Sequence, residues 1–269
     1  MQNNIILWAL TATLGTWFVT AAGSATVIFF KKTNEKTLNV ILGFSAGVMI
    51  AASFWSLLQP ASERATIHLT TPAWLVVTLG FISGALFLWG SDKIVCFAQK
   101  KANEKGAGPS QRSNIKRIIM LVFSITLHNI PEGLAVGVAF GALGSNFSTE
   151  SLLAAVSIAV GIGLQNFPEG AAVSLPLRRE GFSRTKSFLL GQASGMVEPI
   201  AGVAGAILVI HMESVLPFAL AFAAGAMILV AVHELIPECQ NNKSAYPYFS
   251  TMGIISGFSV MTLLDLMLG

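Results

Sequence analysis

Two stretches of this 269-residue sequence carry the same short pattern, His128-Asn129-Ile130-Pro131-Glu132-Gly133-Leu134-Ala135-Val136 and Gln165-Asn166-Phe167-Pro168-Glu169-Gly170-Ala171-Ala172-Val173. They are one motif, His/Gln-Asn-x-Pro-Glu-Gly-x-Ala-Val, used twice at an offset of 37 residues (165 against 128). On a helix the first and fifth residues are i, i+4 and the second and fifth are i, i+3, so the three polar side chains of each copy share one face. Each copy therefore offers a three-pronged ligand set of imidazole or amide, amide and carboxylate. Such a mixed oxygen and nitrogen set suits divalent transition metals better than calcium or magnesium, which prefer all-oxygen shells. Zinc is the default, and Fe2+, Mn2+, Co2+ and Cd2+ also fit.

Proline strengthens this reading. Pro131 and Pro168 have no N–H, so the carbonyls of Leu127 and Leu164 lose their helical donors, and Gly133 and Gly170 permit close helix approach. A freed carbonyl needs a cation, a water-filled cavity or a neighbouring helix. The plain alternative is a proline-kinked helix pair with Asn and Gln as interhelical glue. Glutamate at the same place in both copies argues against it.

The elements that must position these groups are membrane helices. The composition is 54% hydrophobic and only 11% charged, with a mean hydropathy of +0.70, whereas soluble domains are about a quarter charged. Apolar runs occupy 5–30, 38–58, 73–91, 118–141, 152–176, 187–210, 216–236 and 247–268. Each is close to the ~20 residues that cross ~30 Å of hydrocarbon as a helix. The expectation is an all-α membrane protein of eight transmembrane helices in a single polytopic domain, 1–269. Its longest connection, the polar loop 92–117 between helices 3 and 4, is too short for a soluble domain. A soluble enzyme and a nucleic-acid binder are excluded. The first run has no Lys or Arg before it and continues to Phe30, so it reads as a retained span rather than a secretory signal. The two cysteines, Cys96 and Cys239, support no disulfide framework.

Charge gives the orientation. Of the 16 Lys and Arg, 15 fall in loops 31–37, 92–117, 177–186 and 237–246, and only Arg64 lies on the other side. The positive-inside rule then puts those four loops in the cytoplasm and both termini outside. It also accounts for the formal charge of +3 without an acidic partner.

No Lys or Arg lies in any span, yet the spans hold Glu132, Glu169, Glu198 and Glu234. A carboxylate at mid-bilayer costs roughly 2.5 to 3.5 kcal/mol, so three deep ones cost on the order of 8 to 10 kcal/mol before compensation. The counter-charge must be a proton or a cation from outside the chain. At ~1.5 Å per residue, Glu132 lies about 21 Å into helix 4 and Glu169 about 25 Å into helix 5, while Glu198 and Met49 lie about 16 Å into helices 6 and 2. Four helices thus bring candidate ligands to one layer, with Met49 open to a packing role as well. At the cytoplasmic end of helix 7, His233-Glu234-Leu235-Ile236-Pro237-Glu238 reads as metal exit ligands or as interfacial capping. Asp92 and Asp265 lie near span ends, where capping or snorkelling explains them.

With HNIPEG on helix 4, QNFPEG on helix 5, GQASGMVEP on helix 6 and HELIPE on helix 7, the chain resembles the ZIP (Zrt/Irt-like protein) family of divalent metal transporters, its GufA-like branch in particular. The resemblance implies eight helices with both termini outside, metal entering the cytoplasm across a cell membrane, and a two-metal site on helices 4 and 5. By position it implies a first subsite of Met49, His128, Glu132, Gln165 and Glu169. The implied second subsite is Asn129, Asn166, Glu132, Glu169 and Glu198, bridged by the two motif glutamates. Relatives can carry aspartate where this chain has Asn166, so the second subsite here has one negative charge fewer. The activity expected is inward carriage of metal, with alternating access about the midplane site as the favoured mechanism, metal as substrate, no prosthetic group, the bilayer as partner and homodimerisation left open. Two alternatives share the site: a metal-selective channel, and an intramembrane metalloenzyme that activates water. No His-Glu-x-x-His occurs to support the enzyme.

Overall fold

Backbone N–H and C=O groups in hydrocarbon must pair within their own segment, which leaves the helix as the form for long apolar runs. The computed structural model of the chain describes residues 2–29, 35–104, 126, 129–144, 147–179, 181–240 and 248–268, and regular structure among them is helical throughout. The helices are α1 (Gln2–Phe29), α2 (35–68), α3 (Ala73–Glu104), α4 (129–141), α5 (Thr149–Arg179), α6 (184–211), α7 (216–240) and α8 (Tyr248–Leu268).

Seven of these, all but α4, are long and apolar enough to cross a membrane. The remaining expected span, 118–141, lies partly outside the described residues, and so does His128. Helix α3 does not stop at 91 but continues to Glu104, so the start of the expected polar linker is helical. Residues 91–105 contain no Gly or Pro to end the helix. The apolar part of α3 nevertheless ends at Ile94, which keeps the continuation outside the expected span.

Three prolines act on the helices that carry them. Pro60 and Pro237 have no N–H for the carbonyls four residues back, and each follows a π-helical turn, Ala52–Leu58 in α2 and Ala231–Leu235 in α7. In both, the next N–H reaches five residues back, from Gln59 to Phe54 and from Ile236 to Ala231. Pro199 follows a 3-10 turn, Ser194–Met196, in α6. Pro168, by contrast, sits within an unbroken α5.

Reciprocal glycines bring helices into backbone contact in pairs. A Cβ added at Gly23 of α1 would strike the Phe167 carbonyl of α5, and one at Gly170 of α5 would strike the Thr20 carbonyl of α1. Gly47 and Gly257 do the same for α2 and α8, and Gly84 and Gly225 for α3 and α7; between α4 and α6, Gly137 faces the Gly202 carbonyl and Gly205 the Leu134 carbonyl. Close packing of this kind supplies dispersion contacts where the bilayer offers no hydrophobic driving force between helices. The apolar stretches of α2 and α7 are 67% and 61% buried, against 17% for α3 and 22% for α8. The inner helices are therefore α2 and α7, while α3 and α8 turn Trp74, Leu79, Leu86, Leu263 and Leu266 outward. Apolar side chains on the outer faces of long apolar helices fit a lipid surround.

Candidate metal site

The two motifs meet inside the bundle. Asn129 and Glu132 of α4, Gln165, Asn166 and Glu169 of α5, and Glu198 of α6 are all buried. Helix α4 comes down on α6 at the level of the acids, because Gly133 has no side chain to hold it off the Glu198 backbone. Helix α1 closes on α5 one residue beyond Glu169, at Gly170.

The motif amides bond across helices. Gln165 Nε2 donates to Glu132 Oε1 at 2.6 Å, linking α5 to α4. Asn166 Nδ2 donates to both carboxylate oxygens of Glu198, at 3.0 and 2.9 Å, and lies 3.3 Å from the Thr16 carbonyl of α1. From α2, Ser45 Oγ donates to the backbone carbonyl of Gln165 at 3.3 Å. Ser45 and Met49 are i, i+4, so the face of α2 that meets α5 at Gln165 also carries Met49. Met49 is fully buried and belongs to the apolar core with Val48, Val136 and Ile162.

What remains unpaired points to a cation. Asn129 Oδ1, Glu132 Oε2, Gln165 Oε1, Asn166 Oδ1 and Glu169 Oε1 are buried without a hydrogen-bond partner, as is one donor, Asn129 Nδ2. Buried polar groups are ordinarily paired, and leaving one unpaired costs roughly 1 to 3 kcal/mol. Here five oxygens, all of them motif residues, are orphaned together. Each acts as an acceptor whose need a metal ion meets directly. The three acids also repel one another: Glu132 is within electrostatic reach of Glu169 and Glu198, and Glu169 within reach of Glu198 and Glu234. No Lys or Arg lies in the expected spans to balance them.

Among the described residues, no three of His, Cys, Asp and Glu form a metal-binding group by themselves. The donor set here is carboxylate plus amide, and the imidazole expected with it, His128, is outside the described residues. His233 and Glu234 lie on the π-helical turn of α7, with His233 exposed and Glu234 half-buried and within electrostatic reach of Glu169. Glu238 follows on the last turn of α7. Asp265 is more than a span-end acid, because it accepts a 2.7 Å hydrogen bond from Ser56 in the π-helical turn of α2.

Three residues in this region escape a reading of motifs. Ser45, Thr16 and Thr20 are small hydroxyl residues in apolar helices, and only the fold shows that Ser45 meets the Gln165 backbone and the Glu169 carboxylate and that the threonines meet Glu198. The single sequence signal for the α1 pair is that Thr16 and Thr20 share a helical face with Thr13 and Ser24, all four buried.

The family model described as ZIP Zinc transporter matches residues 97–265. Among curated proteins, the chain is 39% identical to human "Zinc transporter ZIP11" over 99% of both chains. It is 34% identical to "Zinc transporter GufA" of Myxococcus xanthus, covering 97% of this chain and 98% of that one. Identity to "Zinc transporter ZupT" of Chlorobium luteolum is 33% over 97% of each. These relatives bear the names of transporters rather than enzymes.

Proposed function

Given that this chain belongs to the ZIP zinc transporter family, a family of multi-pass membrane proteins, we propose that it carries divalent transition-metal ions, zinc first among them, into the cytoplasm. The observation that carries this reading is the set of five orphaned motif oxygens, enclosed by helices whose apolar spans contain no Lys or Arg. Zinc, Fe2+, Mn2+, Co2+ or Cd2+ is then the substrate, and no prosthetic group takes part. In this reading Glu132 and Glu169 supply the negative charge, while Gln165, Asn129 and Asn166 offer amide oxygens and Glu198 adds a third carboxylate beside them, its oxygens already hydrogen-bonded. His128 and Met49 add the softer nitrogen and sulfur ligands that favour zinc and cadmium over magnesium.

Inward direction is what membership of the family implies, and the positive-inside rule applied to the eight spans supports the matching orientation, with both termini outside a cell membrane. His233, Glu234 and Glu238 would receive the ion at the cytoplasmic end. Alternating access is favoured because the site is enclosed on α1, α2, α4, α5 and α6. An apolar cleft of about 890 Å³ separates α1 from α2 over α5, lined in part by Thr16, Phe44, Leu164 and Phe167. That gap leaves room for one group of helices to rock against another around the metal. Uptake of zinc into proteoliposomes, with Fe2+, Mn2+, Co2+ and Cd2+ as competitors, tests the proposal. Saturable zinc entry above protein-free vesicles supports it, and entry no greater than in those vesicles rejects it.

A further inference from the structure

Glu198 differs from the other two deep acids in having both its oxygens occupied. Oε1 accepts from Asn166 Nδ2 at 3.0 Å and from Thr20 Oγ1 at 3.4 Å. Oε2 accepts from Asn166 Nδ2 at 2.9 Å and from the hydroxyl of Thr16. Glu132 Oε2 and Glu169 Oε1, in contrast, have no partner at all. A carboxylate has about four lone-pair positions, and three donor hydrogens from α1 and α5 reach those of Glu198, although the Thr16 and Thr20 hydroxyls also lie 3.0 Å from the Thr13 carbonyl and 3.3 Å from the Thr16 carbonyl.

The direction of the Asn166 amide is forced. Its neighbours on that side are a carboxylate and the Thr16 carbonyl, both acceptors only, so the NH2 must face them and the oxygen must face away. One N–H straddles the carboxylate and the other reaches the carbonyl. The surroundings of Glu198 are also tight. A Cβ added at Gly195 would lie 3.0 Å from Glu198 Oε1, 3.1 Å from Thr20 Oγ1 and 2.9 Å from Trp17 Cδ1.

We propose that Thr16, Thr20 and Asn166 form a clamp that holds the Glu198 carboxylate where a second metal ion would otherwise be bound, so that this chain takes one divalent ion, at Glu132 and Glu169. Thr16 and Thr20 are positioning residues in this account: they act through Glu198 and touch no metal. The proposal rests on the metal-site reading above and refines it, because the second subsite is filled from within by hydrogen-bond donors. Aspartate at 166 would replace the donor NH2 with an oxygen facing the Glu198 oxygens. That arrangement needs a cation between them, and charge attraction is strong in a poorly screened site.

Bound metal is counted on the purified full-length chain by equilibrium dialysis against zinc and mass spectrometry, as the difference from Glu132→Ala. Wild type should bind one ion per chain by this difference. Thr16→Val with Thr20→Val keeps the size of both side chains but removes the hydroxyls, and should raise the count to two. The pair Thr16→Ser and Thr20→Ser retains the hydroxyls and should return it to one, a rescue that a merely structural role for the threonines does not produce. Asn166→Asp should also reach two, and it carries the test alone if the valine variant does not reach the membrane. Two Glu132-dependent ions in wild type, or one ion in both the valine and aspartate variants, would overturn the clamp while leaving the metal site intact. Zinc binding that Glu132→Ala does not change would overturn both.

Discussion

The side-chain amide of Gln165 donates to Oε1 of Glu132 across the α4–α5 contact at 2.6 Å, while its own carbonyl oxygen has no partner. The same division holds for Asn166, whose NH2 holds Glu198 and whose Oδ1 is orphaned. In both amides the nitrogen end fixes an acid on the neighbouring helix. The oxygen end is left for a ligand. An amide is suited to this double task because one planar group presents donors on one side and an acceptor on the other.

Replacing either Glu132 or Glu169 with Ala should reduce zinc uptake about 100-fold or more, to the level of protein-free membranes. The metal-free variants should be no less stable than wild type, since each substitution removes a buried charge that nothing in the spans balances. Uptake at equal membrane abundance, together with melting temperature in detergent, checks both halves. Full transport by either variant removes that residue from the site.

Met49 separates packing from ligation. Met49→Leu conserves volume and should change stability by less than about 1.5 kcal/mol. If the thioether meets the ion, cadmium should lose ground to manganese in competition for uptake, because sulfur favours the softer metal. An unchanged cadmium-to-manganese ratio makes Met49 a core residue only.

The helix contacts that enclose the site can be probed at Gly170. An added Cβ there meets the Thr20 carbonyl and the Ser24 nitrogen of α1, so Gly170→Val should force α1 away from α5. The expected cost is about 1 to 3 kcal/mol of overpacking, read as a lower melting temperature with less zinc bound. A variant as stable as wild type would show that α1 and α5 are free to separate here.

The paired acids and amides were legible in the sequence because a motif repeated on two apolar runs leaves little else for Glu132 and Glu169 to do. The clamp on Glu198 was not legible. Thr16 and Thr20 resemble any hydroxyl in an apolar helix bonding to its own backbone, as Thr13 does to the Ala9 carbonyl. Their partner is 182 and 178 residues away in sequence, and only the approach of α1 to α5 and α6 brings them together. The π-helical turns before Pro60 and Pro237 were not read from the sequence. Whether a carbonyl deprived of its donor is answered by a π-helical turn, as at Ala52–Leu58, or by an undisturbed helix, as at Pro168, depends on the neighbouring helices. The extent of α3 past the apolar run was missed because hydropathy marks the membrane and not the helix end.

His128 carries the imidazole of the first motif. His128→Ala should leave the oxygens in place, so zinc transport should fall by roughly 10-fold rather than vanish, with the preference moving toward manganese. Competition among zinc, manganese and cobalt in the uptake assay reads this directly. An unaltered order of preference assigns His128 to packing or gating.

The central claim is that the orphaned oxygens of the two motifs hold the transported ion. Crystals grown with cadmium or zinc, with anomalous differences collected at the metal edge, test it most directly. The account predicts a strong peak bound by the carboxylates of Glu132 and Glu169 and by Gln165 Oε1, absent in crystals of Glu132→Ala. Protein that transports zinc but shows its metal peak elsewhere, with those oxygens bound only to water, would contradict it.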